Sequence, residues 1–121
     1  MDISKAIAAL KAEPGFTENV GMVLVHNGVV RGTSRTEAGT VTAVEVTSDQ
    51  AKVDAICAEA QAKPGIWRVR AEARSGLLQA GDDVLFIIVA GTFREEVKAC
   101  LAETLDRIKS EAVSKKEHFA A

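Results

Sequence analysis

Apolar side chains recur at Ile3, Ala6, Ile7 and Leu10, one face of a helix over 2–12, until "EPGF" stops the pattern. The next segment, "VGMVLVHNGVVR" from Val20 to Arg31, is rich in β-branched residues and apolar at both alternating sets of positions. That pattern predicts a buried strand, bent at Gly28. "GTSRTEAGT" is polar and glycine-containing and reads as a mobile loop, from which "VTAVEV", 41–46, returns as a second strand.

Thr47, with Gln50 three residues on, has the form of a capping box. It would open a helix over 49–63 that buries Val53, Ile56, Cys57 and Ala60 and ends at "KPGI". "IWRVRAEAR", 66–74, alternates large apolar with charged residues, the signature of a half-exposed strand. "SGLLQAGDD" is expected to turn, and "VLFIIVAG" is the most hydrophobic stretch, expected at the centre of a sheet. Thr92 with Glu95 suggests a second capping box and a long helix over 94–112, with Val97, Leu101, Leu105 and Ile108 inward.

The resulting order, αββαββα, joins successive strands by short loops. Short connections favour antiparallel pairing, so the expected class is α+β, a mostly antiparallel sheet with flanking helices. No repeat and no long linker divides the chain, which is expected to form one domain over 1–121.

Composition narrows the function classes. At 47% hydrophobic and 26% charged, the sequence suits a folded globular protein rather than a disordered one. A net charge of −2 gives no overall positive field for nucleic acid or an anionic membrane, so any anion site has to be built locally. No apolar run approaches the roughly 20 residues that span a bilayer. "MDISKAIAALKAEPG" carries an acid at position 2 and two lysines, unlike a secretory signal, so the cytoplasm is the expected location. Cys57 and Cys100 are far apart without a CxxC and fall at apolar helical positions, which points to buried thiols rather than to zinc or a disulfide.

Most catalytic constellations are missing. The sequence has no Walker A loop, GxSxG elbow or HExxH, and the two histidines, His26 and His118, are not clustered. Neither a metal nor a cofactor is expected. What remains is a set of cations at element ends: Arg31 after the first strand, Arg74 after the third, Arg94 at the start of the long helix. Lys109 and Lys116, seven apart, would share one face of a continuous helix. Each has a plainer explanation in solvation, local pairing with Glu95 and Glu96, or the helix dipole.

Taken together, "VGMVLVHNGVVRGTS", the glycine-bearing turn before "DDVLFIIVAG", the helix "FREEVKACLAETLDRIK" and the closing "KKE" resemble the large, catalytic subunit of molybdopterin synthase. The likeness runs from about residue 20 to 118 and rests on order and spacing. It implies an α/β-hammerhead-like fold and a homodimer. It also implies sulfur transfer from the C-terminal thiocarboxylate of a small ubiquitin-like carrier ending in Gly-Gly onto cyclic pyranopterin monophosphate, forming molybdopterin. By the same resemblance Lys116 and Lys109 are the catalytic candidates, and Arg31 and Arg94 the phosphate-binding ones. Cationic donors suit such chemistry, since the substrate carries phosphate and attack on a thiocarboxylate develops negative charge.

The chain departs from the family pattern in several places. Phe93 replaces the histidine of a His-Arg pair, and His26 replaces an aromatic residue. Ala73-Arg74 replaces a second His-Arg pair, "EVTSDQ" a tyrosine-bearing segment and "VSKK" a Pro-Ile-Trp-Lys segment. The alternative is therefore a non-catalytic dimeric relative that binds a phosphorylated ligand or a protein tail.

Overall fold

The longest apolar run of the chain forms the middle of a sheet. In the computed structural model, which describes residues 1–121, helix α1 (Ile3–Lys11) and the short α2 (Phe16–Asn19) precede strands β1 (Met22–Val29) and β2 (Val41–Ser48). Helix α3 (Gln50–Gln61) leads to β3 (Ile66–Ala73), β4 (Gly76–Gln79) and β5 (Asp83–Gly91). The long α4 (Arg94–Glu111) is followed directly by β6 (Val113–Phe119). The strands make two antiparallel three-stranded sheets, ordered β1-β5-β3 and β4-β2-β6. The α+β class and the central place of "VLFIIVAG" hold.

β5 needs no polar alternation because both its faces are covered. Leu85, Ile87 and Val89 meet α3 and α4 through Val53, Ile56, Cys57, Val97, Cys100 and Ile108. Phe86, Ile88 and Ala90 point the other way, onto Leu10 of α1 and Trp67. Both cysteines are buried and free, and burial pushes the Cys57 thiol up to about 11. The second sheet has its own small core of Val30, Val41, Val44, Val46 and Leu78. Val84 and Val113 pack against both cores, so they mark the seam between the sheets.

The expectation of a bend at Gly28 is met, since the β1–β5 register shifts between Gly28 and Val29. Both predicted capping boxes are corrected. β2 continues through Ser48, and Asp49 caps α3 by accepting from the Lys52 backbone N–H at 3.0 Å. Gln50 instead ties α3 to β3, donating to Ala71 O at 3.1 Å and accepting from Ala73 N at 3.1 Å. Thr92 spends its hydroxyl on Asn19 O at 3.0 Å, and α4 starts after Phe93 without a side-chain cap.

Two elements were not anticipated. "GLLQ", expected to turn, is the edge strand β4, paired with Ala43–Val46. The tail beyond Glu111 is not a continuation of α4: Ala112 donates to Ile108 O, accepts from Asp49 N at 2.9 Å and turns the chain into β6. β6 then pairs along β2 from Val113↔Ser48 to Phe119↔Val41. Lys109 and Lys116 therefore do not share a helix face.

Candidate functional site

A cleft of about 600 Å³ opens at the seam between the sheets. Its walls are the end of β1 with the loop after it, the last turn of α4, and the first half of β6; Val44, Val84 and Val113 lie beneath. Arg31, Arg35, Lys109 and Lys115 all line it. None of the four pairs with a carboxylate, whereas Lys52, Lys63, Arg68, Arg70, Arg94 and Arg107 do. Four cations outside any ion pair, against one carboxylate, give this concavity of a net-negative chain a local positive charge that attracts anions.

Two further groups complete the lining. Glu117 is the cleft's one carboxylate, and its Oε1 accepts from Ser34 Oγ at 2.8 Å. His26 shares the face of β1 with Met22 and Leu24, which pack on the core beneath α4. Its Nε2 is buried without a hydrogen-bond partner and lies where a Cβ on Gly28 would come within 2.9 Å. Burial, and then the charge of Lys109, lower the pKa of this imidazole, so it stays neutral at physiological pH.

The structure brings Arg31 and Lys109 together. Lys116 is elsewhere: β6 alternates, so Val113, Lys115 and Glu117 face the cleft while Lys116 stands on the opposite face, across from Glu45. His118 shares that outer face, its Nε2 3.1 Å from Glu45 Oε1. Arg94 is also apart, fifteen residues before Lys109 on α4, about 22 Å along the axis. Its side chain is 78% exposed, with Nε 3.5 Å from Glu95 Oε1. Arg74 donates to Asp83 O at 3.1 Å beside a hollow of about 20 Å³, room for little more than water.

Sequence reasoning missed Lys115, Arg35 and Glu117. For the strand residues a signal existed: "VSKKEHF" read with period two puts Val113, Lys115, Glu117 and Phe119 on one side. Arg35 carried none, because its loop is polar throughout.

The profile of the MoaE protein family matches residues 1–111. A probable molybdopterin synthase of Haloferax volcanii is 35% identical over 69 residues, covering 56% of this chain and 26% of that protein. The match thus spans about a quarter of that curated relative. Among solved structures, the molybdopterin synthase of Staphylococcus aureus superposes with a TM-score of 0.72 at 26% identity, over 84% of this chain and 76% of that one. The molybdopterin cofactor biosynthesis protein E of Burkholderia multivorans gives 0.75 at 27% identity, over 99% and 82%. No helix is long and apolar enough to cross a membrane.

Proposed function

The chain belongs to the MoaE family, and on that premise we propose that it acts in molybdenum cofactor biosynthesis as the sulfur-transferring subunit of a molybdopterin synthase. The donor is the C-terminal thiocarboxylate of a small carrier protein; the acceptor is cyclic pyranopterin monophosphate. Each transfer breaks the carrier's C–S bond and makes a C–S bond on a pterin side-chain carbon, where a C–O bond breaks and its oxygen leaves with a proton or stays on phosphorus. Water supplies the oxygen with which the carrier leaves as a carboxylate.

One observation carries this reading: Arg31, Arg35, Lys109 and Lys115 converge on one cleft, and none of them is held in an ion pair. In that cleft Arg31 holds the phosphate, where a planar guanidinium matches two oxygens at once. Lys115, rather than Lys116, presents the amine that meets the thiocarboxylate carbon and sulfur. Lys109 stabilises the charge that develops as that carbon is attacked.

Arg94 lies too far along α4 to serve the cleft of its own subunit. In a homodimer it would reach the site only from the partner copy, and the phosphate role assigned to it belongs to that arrangement.

The alternative, a dimeric relative that binds without chemistry, draws on one feature. Phe93, at the position of the family's histidine, is 63% exposed and offers no proton. The deciding experiment supplies purified protein with thiocarboxylated carrier and cyclic pyranopterin monophosphate and measures molybdopterin. Formation of product supports the enzyme; none, where an authentic synthase subunit turns over, supports the binding relative.

A further inference from the structure

The proposed reaction brings two anions together, a phosphate and the acidic end of a protein tail, and the cleft's four cations come from three segments: the loop after β1, α4 and β6. Lys109, on the last turn of α4, lies near enough to His26 of β1 to act on its charge, and Arg31 lies two residues past the end of β1. Lys115 and Glu117 belong to β6, and Arg35 to the loop after β1.

That loop is tied down. Thr33 bridges Thr40, and Val41 N donates to Gly32 O at 2.9 Å. Ser34 Oγ donates to Glu117 Oε1 at 2.8 Å while lying 3.3 Å from the backbone nitrogens of Thr36 and Glu37, which donate to it. The segment bearing Arg35 is thereby fastened to β6 two residues from Lys115. Glu117, the cleft's one carboxylate, accepts from Ser34 and makes no ion pair with Arg35. A guanidinium held on a fastened loop with no partner is prepared for a ligand rather than for a structural pair.

We propose that Arg35 binds the terminal carboxylate or thiocarboxylate of the incoming peptide tail and holds it beside Lys115, while Arg31 and Lys109 take the phosphate. This rests on the sulfur-transfer reading of the same cleft and assigns its two anions to different cation pairs. A bidentate guanidinium–carboxylate pair fixes both position and orientation of the tail's last carbon, which an ammonium alone does not.

The test is calorimetric and uses two probes on the whole protein: inorganic phosphate, and a synthetic hexapeptide ending in Gly-Gly with a free carboxylate. The same peptide as a C-terminal amide is the control. Arg35 is exposed, so Arg35→Gln leaves the fold undisturbed. The expected result is that Arg35→Gln weakens the free peptide at least about tenfold, to the level of the amide, with phosphate affinity within about twofold of wild type. Arg31→Gln should do the reverse.

If Arg35→Gln leaves peptide affinity unchanged, or if it lowers phosphate affinity alone, the assignment is overturned while the anion cleft stands. A wild type that binds phosphate but not the peptide overturns it equally. A wild type that binds neither probe overturns this proposal and the reading beneath it together.

Discussion

Lys115 and Lys116, adjacent in sequence, stand on opposite faces of β6: Lys115 lines the cation-rich cleft, and Lys116 lies across from Glu45 on the outer face. A strand reverses its side chains at each residue, so a register error of one exchanges a site residue for a solvated one. A continuous helix would put Lys116 on the face of Lys109; α4 ends at Glu111 instead, and in β6 it is Lys115 that lines the cleft.

Gly91 is where the first sheet, the turn after α3 and the start of α4 come closest. A Cβ there would lie 2.4 Å from Gly65 O and 2.8 Å from Val97 Cγ2. The first contact is backbone and cannot move aside. Gly91→Ala should therefore cost about 1–3 kcal/mol, read as a lower midpoint in thermal or urea unfolding. An unchanged midpoint would mean that the approach of these segments is looser than described.

His26 makes stability pH-dependent in a definite direction. Its pKa is lowered in the folded protein, by burial first and by Lys109 second. Below the unfolded value of 6.5, the unfolded chain therefore binds more protons than the folded one. Stability is retained above that value and falls as pH drops from it toward the lower folded value, beneath which this contribution is spent. His26→Gln should flatten that part of the pH–stability curve, measured by urea unfolding between neutral and mildly acidic pH. An identical slope in both proteins would rule out a buried neutral imidazole at this position.

The position of Arg94 predicts complementation. With Arg94→Ala and Lys115→Ala each inactive alone, mixed dimers would hold one intact site if Arg94 acts across the interface. Random mixing makes half the dimers mixed, with one of two sites working, so about a quarter of wild-type product formation should return. Two inactive variants that stay inactive after verified subunit exchange would exclude Arg94 as a contributor from the partner.

The sequence was most legible where one force dominated. The uninterrupted run in β5 could only be a strand covered on both faces, and the glycine of "VHNGVV" marked its own bulge. The order and spacing of the segments sufficed for family membership, and Arg31 with Lys109 do line one cleft. Legibility failed where tertiary pairing overrode local preference. "VSKKEHF" has no glycine or proline to mark the end of α4, and its Lys and Glu suit a helix, yet pairing with β2 makes it an edge strand. Charges on such an edge also discourage unwanted strand addition. The capping boxes failed for a related reason, since Thr47 was held in the β2 ladder and Thr92 reached back to Asn19.

The central claim, that the amine in the cleft and not its sequence neighbour serves sulfur transfer, is tested most directly by comparing Lys115→Ala with Lys116→Ala in the reconstituted assay with thiocarboxylated carrier. Both lysines are exposed, so neither change should disturb folding. Lys115→Ala is expected to lose at least about a hundredfold in molybdopterin formation, the scale of removing a group that acts on the reacting atoms. Lys116→Ala should stay within a few-fold of wild type. Loss of product with Lys116→Ala and near-normal turnover with Lys115→Ala would contradict the claim.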